Sequence, residues 1–182
     1  MRTADAVKEG IRPKIIYKMR DAGLLEPLAW GLYRLTDLPE PSNPDLVTVA
    51  LKIPKGVICM ISALAFHDMT TQIPNAIDVA LVRGSETPRI KYPPVHIYWS
   101  VEHIFNCGIE KHIIDGKTIK IYNPEKLLVD CFRHRNKLGL DTAIEALRMY
   151  RANKPLKIDL IMEYARTCNV AGVIQPYLEG TL

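Results

Sequence analysis

A proline-rich stretch near the N-terminus limits what the chain can fold into. The segment TDLPEPSNPD, residues 36–45, places three prolines within ten residues, and proline interrupts both helices and sheet ladders. The stretch therefore indicates a linker between a short N-terminal part and the larger remainder of the chain. For a chain of 182 residues, we expect a small unit at residues 1–37 and a larger one at residues 38–182.

The N-terminal unit has the pattern of two short helices followed by a hairpin. TADAVKEG, from Thr3, has an acid in its first turn and Gly10 at its end. RPKIIYKMRDAG, from Arg12, has proline at its first helical position and glycine at its exit. LLEPL and LYRL follow as two short strands. This order predicts a helix-turn-helix with a wing, whose second helix enters the DNA major groove.

The second of these helices is basic. Its first nine positions contain no acid and four cations: Arg12, Lys14, Lys18 and Arg20. A run of like charge is often only a solvated helix face, and the net charge of +4 permits a nucleic-acid partner without requiring one. Because the run lies in a helix-turn-helix, we interpret it as a surface that contacts phosphates or bases. Tyr17, within it, can stack or donate to a phosphate.

The larger unit mixes helical and strand patterns. Helices are predicted at DLVTVALKI, VICMISALAFHDM, NPEKLLVDCFRHRN and through the C-terminal quarter. Asn43 is expected to cap the first of these before Pro44, and Asn123 gives another Asn-Pro start. Strands are predicted at AIDVALVR, VHIYWS, IEKHIID and KTIKIYN, with a hairpin at Asp115-Gly116. The sequence thus predicts an α+β chain: a winged helix-turn-helix, then a larger domain in which helices flank an antiparallel sheet.

No grouping of reactive side chains indicates an enzyme. Ser62, His67 and Asp78 are the nearest set to a hydrolytic triad, but no G-x-S-x-G elbow surrounds the serine. Glu110 and Lys111 do not complete a nuclease-like D/E-x-K triplet. The glycine loops that bind nucleotides are missing from the sequence.

Metal binding and membrane insertion are also not predicted. His103, Cys107 and His112 have the side chains of metal ligands, but a fourth ligand is missing, and structural zinc sites use four. The four cysteines are scattered without a C-x-x-C pair, which fits a reducing cytoplasm. The longest apolar run, GVICMISALAF, is shorter than the about 20 residues that span a bilayer. We therefore expect a cytoplasmic protein without a metal or other cofactor.

Three stretches of the sequence resemble one known family. They are RTADAVKEGIRPKIIYKMRDAGLLEPLAWGLYRL, GVICMISALAFHDMTTQIP and NPEKLLVDCFRHRNKLGLDTAIEALR. Together they resemble the AbiEi-type antitoxins of bacterial type IV toxin–antitoxin systems over nearly the whole chain. The resemblance implies a winged helix-turn-helix that represses its own promoter. It also implies a C-terminal domain that neutralises a toxin of nucleotidyltransferase fold. The chain itself is then expected not to be an enzyme.

The resemblance also assigns residues. Those that correspond to DNA-contacting positions are Arg12, Lys14, Tyr17, Lys18 and Arg20 on the recognition helix and Arg34 on the wing. Those that correspond to the signature of the larger domain, which has no known role, are Ser62, His67, Thr70, Thr71 and Gln72. The chain departs from the family in having Trp30, expected to pack beneath the wing, where members have arginine. Members also carry a helix before RTADA, whereas this sequence begins at Met1-Arg2. We therefore expect a winged module without its first helix; either the true start lies upstream, or another surface covers the apolar side of the two helices.

The expected partners follow from the resemblance. They are double-stranded DNA with a promoter inverted repeat, bound by two protomers, one per half-site, and a cognate toxin, countered directly or functionally. An alternative is a stand-alone winged-helix transcriptional regulator whose larger domain senses a ligand. A third hypothesis is an enzyme whose site the residues do not reveal. A neighbouring gene for a nucleotidyltransferase-like protein would favour the antitoxin over the stand-alone regulator.

Overall fold

The computed structural model of the chain describes residues 3–29, 31–37 and 43–180. Within these ranges the fold is α+β, with ten helices, a mixed five-stranded sheet and a separate two-stranded antiparallel sheet. The N-terminal elements are α1 (Thr3–Lys8), α2 (Pro13–Asp21), β1 (Leu25–Ala29) and β2 (Leu32–Leu35). The remaining elements are α3 (Pro44–Lys52), β3 (Val57–Ile58), α4 (Met60–Phe66), β4 (Ile77–Val82), β5 (Val95–Ser100), α5 (Glu102–Phe105), β6 (Ile109–Ile114), β7 (Lys117–Tyr122), α6 (Pro124–Arg133), α7 (Arg135–Leu138), α8 (Leu140–Asn153), α9 (Ile158–Thr167) and α10 (Ala171–Glu179).

The N-terminal elements follow the predicted order of helix, helix and hairpin. Gly10 and Gly23, after the two helices, have φ angles of +84° and +74°, a left-handed conformation that favours glycine and ends a helix. The strands β1 and β2 pair antiparallel. A small core takes one buried side chain from each of the four elements: Ala6, Ile16, Leu25 and Tyr33.

The larger sheet is mixed, so the prediction of an antiparallel sheet was wrong. Its strand order is β5-β4-β3-β7-β6. The β4–β5 and β3–β7 pairs are parallel, and the β3–β4 and β6–β7 pairs are antiparallel. Apolar patterns identify strands but not their direction. Only β6 and β7 are joined by a two-residue turn, at Asp115-Gly116, which dictates antiparallel pairing. Residues 83–94, between β4 and β5, are long enough to let the chain return parallel.

The central strand, β3, lies in a segment that was predicted to be helical. The apolar run that begins at Val57 was expected to be helical throughout, but Val57–Ile58 form β3 and the helix begins at Met60. Met60 has a φ of +44°, a sharp local change of direction between strand and helix. A short apolar run fits a buried strand as well as a buried helix, so its pattern does not distinguish them.

The helix α6 lies at the centre of the larger part. Its first nine residues are all buried, and it packs against α4, α8, α9 and α10. The charged side chains among them are paired. Lys126 forms an ion pair with Asp130 one turn on, and Glu125 Oε1 accepts bonds from Lys157 Nζ at 3.0 Å and the Tyr150 hydroxyl at 2.8 Å. Pairing is what makes burial of charge tolerable, since an isolated buried charge costs several kcal/mol.

The two Asn-Pro helix starts differ. The side chain of Asn123 accepts a hydrogen bond from the amide of Lys126 at 2.9 Å, which caps α6. The side chain of Asn43 makes no such bond to α3, so a side-chain cap expected there was wrong, and proline at the first helical position marks that start instead. All four cysteines are free thiols. No helix in the described ranges has the length and apolar character needed to cross a membrane.

Candidate nucleic-acid interface

The helix α2 docks on the N-terminal core by one line of side chains. Ile16 is fully buried and Met19 is half-buried beside it. At 100° per residue, Lys14 and Lys18 project from the opposite side, one turn apart. Both are exposed, and Tyr17 next to them is 44% exposed. The outward face of α2 is therefore cationic, with an aromatic side chain at its edge.

The cations of α2 are not equivalent. Arg12, Lys14 and Lys18 make no ion pair with any residue in the described ranges. Arg20, in contrast, places Nη2 2.7 Å from Asp21 Oδ1, and its guanidinium lies 5.4 Å from the centre of the Tyr17 ring. The positive electrostatic potential in front of α2 therefore comes mainly from Arg12, Lys14 and Lys18, while Asp21 offsets the charge of Arg20.

The hairpin beside α2 holds its cation by an internal contact. Glu26 and Arg34 lie opposite each other in the β1–β2 pair, and Arg34 Nη1 forms an ion pair with Glu26 Oε1. Only 13% of the Arg34 side chain is exposed. Arg34, predicted as a wing contact, therefore presents little of its guanidinium to an external ligand in this arrangement. Trp30, the other residue singled out on the hairpin, lies outside the described residues.

The signature residue Ser62 links α4 to β4 rather than acting as a nucleophile. Its hydroxyl donates to the carbonyl of Ala76 at 3.1 Å and accepts from the amide of Asp78 at 2.9 Å. The amide of Ser62 in turn donates to the Asp78 carboxylate at 3.3 Å. The nearest imidazole to that carboxylate is His96, at 3.3 Å, and His67 instead bonds the Tyr122 carbonyl. The three residues considered as a triad are not assembled as one.

Asp78, bonded by Ser62, is a buried acid. Burial raises the pKa of its carboxyl, and hydrogen bonds from Ser62 and His96 partly oppose that rise. Asp78 and His96 border a surface cleft of about 600 Å³ between the loop after α4 and strand β5. Tyr98 and Lys137 line the same cleft, with Lys137 Nζ 4.3 Å from the centre of the Tyr98 ring. Burial raises the pKa of Tyr98 to about 12, so its hydroxyl is a neutral donor at physiological pH.

Three of the other signature residues, Thr70, Thr71 and Gln72, connect the loop after α4 to helix α8 by hydrogen bonds. The amide and hydroxyl of Thr71 donate to Glu145 Oε1 at 3.0 and 2.6 Å, and the hydroxyl of Thr70 donates to Glu145 Oε2 at 3.3 Å. Gln72 Nε2 donates to the Thr142 hydroxyl at 3.1 Å. The bonds from Thr71 lower the pKa of Glu145. We call this arrangement the Thr-Thr-Gln clasp; it gives these residues a structural role that sequence reasoning did not assign.

His67, the last signature residue, meets a different partner from those considered in the sequence. His112 was grouped with His103 and Cys107, but among the described residues the side chains close enough to share an ion are His67, Glu110 and His112. Burial lowers the pKa of His67, which keeps its imidazole neutral at pH 7. Alternation could have shown that Glu110 and His112 share one face of β6, but nothing in the spacing pointed to His67.

Comparison with known proteins gives a fold likeness. No family model matches the chain, and no curated protein matches it. Among solved structures, the crystal structure of the RV2827C protein from Mycobacterium tuberculosis is similar, with a TM-score of 0.52 and 14% sequence identity, over 97% of this chain and 73% of that one. At this identity the likeness shows the fold and carries no function. The chain thus shares its α+β fold with that protein.

Proposed function

We propose that the chain is an AbiEi-type antitoxin that represses its own promoter and neutralises a nucleotidyltransferase-like toxin. In this proposal residues 1–37 are a winged helix-turn-helix and residues 38–182 are the antitoxin domain. The observation that carries the DNA-binding half is the outward pair Lys14 and Lys18, unpaired within the described residues and one turn apart on α2. The antitoxin half rests on the resemblance of the sequence stretches given above.

The proposed docking follows from the dimensions of α2. Nine residues make a helix about 13 Å long and, with side chains, about 10–12 Å wide, which fits a major groove about 12 Å wide. A recognition helix contacts base edges with its N-terminal residues. We therefore assign Arg12 and Lys14 to base edges or the nearest phosphates, Lys18 to a phosphate and Tyr17 to a phosphate or sugar.

Arg20 and Arg34 have a lesser part in this proposal. Each is engaged by a carboxylate, Arg20 by Asp21 and Arg34 by Glu26. A phosphate would have to displace that carboxylate, so each contact would gain less free energy than one made by an unpaired cation. One small module rarely provides specific affinity by itself, so two protomers are expected on an inverted repeat, one per half-site.

The proposal is tested with the full chain and the DNA upstream of its own gene. A gel-shift titration is expected to give a specific complex with that DNA that survives an excess of unrelated duplex of equal length. Repression of a reporter driven by the same DNA is the matching measurement in cells. Equal affinity for the upstream and the unrelated duplex would contradict the proposal that the chain represses its own promoter.

A stand-alone regulator with a ligand-sensing domain is the second candidate, and the cleft beside Asp78, His96 and Tyr98 favours it. The cleft sets these few polar groups among apolar side chains such as Ile61 and Leu138, as small-molecule sites do. Expressing the neighbouring gene distinguishes the two proposals. A regulator of this kind would repress equally well with a harmless neighbour, whereas an antitoxin requires a neighbour that arrests growth on its own.

A further inference from the structure

A cluster of two imidazoles and one carboxylate lies where the end of α4 meets the edge strand β6. We infer that His67, Glu110 and His112 form a binding site for a divalent transition-metal ion of the zinc type. Each residue offers one ligand atom, and the three atoms lie within 4.8 Å of one another. The site is independent of the proposed DNA contact, since none of its residues belongs to the N-terminal elements.

The carboxylate and one imidazole are already at the spacing that a metal imposes. Glu110 Oε2 lies 3.4 Å from His112 Nε2. In a tetrahedral site with bonds of about 2.0–2.1 Å, neighbouring ligand atoms are about 3.3–3.4 Å apart. Apart from this contact, the same His112 nitrogen is buried and accepts or donates no hydrogen bond, and a buried polar nitrogen without a hydrogen bond costs free energy. A bound ion would give this nitrogen a partner.

The second imidazole is oriented as metal ligands usually are. His67 Nε2 lies 2.9 Å from the carbonyl of Tyr122, to which it donates. That donation fixes the tautomer and leaves Nδ1 as a neutral ligand, the arrangement that metal-binding histidines typically show. Phe66 packs edge-on against both imidazoles, with ring centres 5.1 Å from His67 and 4.9 Å from His112. The rings are therefore held in place before an ion arrives.

The donor set selects the kind of ion. Two imidazoles and one carboxylate suit zinc and its neighbours, whereas magnesium and calcium prefer oxygen ligands throughout. Three protein ligands leave a fourth position open for water or another donor. Lys154 and Lys157 contribute positive potential at the cluster, near His67 and Glu110 respectively, so we expect weaker binding than in a closed four-ligand site.

Titration calorimetry of the chelator-treated full chain with zinc chloride tests the inference. One equivalent is expected to bind, and His112→Gln and Glu110→Gln are each expected to weaken binding by about tenfold or more. His103→Gln, an exposed histidine on α5, is the matched control and should bind as the natural chain does. Magnesium chloride should produce no comparable heat.

Cobalt(II) absorption supplies a second readout that does not depend on affinity alone. The natural chain is expected to give the intense visible bands of a four-coordinate ion, and Glu110→Gln, at an exposed side chain where folding is not at risk, should change their shape. Two results would overturn the inference: no zinc binding by the natural chain, or equal zinc binding by the natural chain and both ligand variants, which would mean an adventitious ion only.

Discussion

Removing the two outward lysines of α2 should weaken DNA binding and flatten its dependence on salt. Lys14 and Lys18 are exposed and unpaired within the described residues, and alanine is the best helix former, so Lys14→Ala/Lys18→Ala should leave α2 intact. Each phosphate contact contributes about −0.9 to the slope of log affinity against log salt. If each lysine neutralises one phosphate, the double variant loses two per protomer, which is about 3.6 units of slope for two protomers on one site.

The size of that change is large enough to measure directly. Across a fourfold rise in salt, a slope smaller by about 3.6 means that affinity falls about a hundredfold less than for the natural chain. Fluorescence anisotropy of a labelled upstream duplex, at four or more salt concentrations, gives both affinity and slope. Lys117→Ala, at an exposed lysine of β7, is the matched control and should keep the natural slope. Unchanged affinity and slope in the double variant would refute the assignment of α2 as the DNA-contacting helix.

Three further predictions concern the clasp, the central helix and the hairpin. Glu145→Ala removes the acceptor of the Thr71 hydrogen bonds and should lower the free energy of unfolding in urea by about 1–2 kcal/mol. Because those bonds lower the pKa of Glu145, the difference from the natural chain should be full near neutral pH and disappear as pH falls through that lowered pKa. Lys126→Met should cost about 3–5 kcal/mol in urea unfolding, because it leaves a buried charge unpaired. Lys126→Met/Asp130→Leu should recover most of that loss, and an equally unstable double variant would contradict this. Arg34→Ala should weaken upstream-DNA binding less than Lys14→Ala or Lys18→Ala alone does in the anisotropy assay, because its guanidinium is held across the hairpin.

Local signals in the sequence were sufficient for the N-terminal elements. Proline at the first position of α2 and glycine after each helix mark ends through backbone preferences that do not depend on tertiary contacts. The turn at Asp115-Gly116 was predicted for the same reason, and both of its residues have positive φ. Strand direction in the larger sheet was not predictable in this way, because parallel pairing is decided by how distant segments pack. The two-residue strand β3 was too short to show any period.

In the candidate sites, too, local features could be predicted from the sequence and contacts between distant segments could not. The outward face of α2 could be derived only in part from helical periodicity: Ile16 and Met19 form the buried side, but the equally apolar Ile15 is 48% exposed. The Thr-Thr-Gln clasp could not, because Thr71 and its acceptor Glu145 are 74 positions apart. Likewise, His67 approaches His112 only because α4 ends against the sheet edge. Such contacts depend on the packing of whole elements, which residue spacing does not report.

The most direct test of the antitoxin proposal is growth of cells that express the neighbouring gene with and without this chain. The proposal predicts that the neighbouring gene alone arrests growth and that co-expression of the full chain restores it. The Lys14→Ala/Lys18→Ala variant should restore growth as well, because the outward lysines are assigned to DNA and not to the toxin. A neighbour that arrests growth equally with and without the chain, or a neighbour that has no effect on growth, would contradict the proposal.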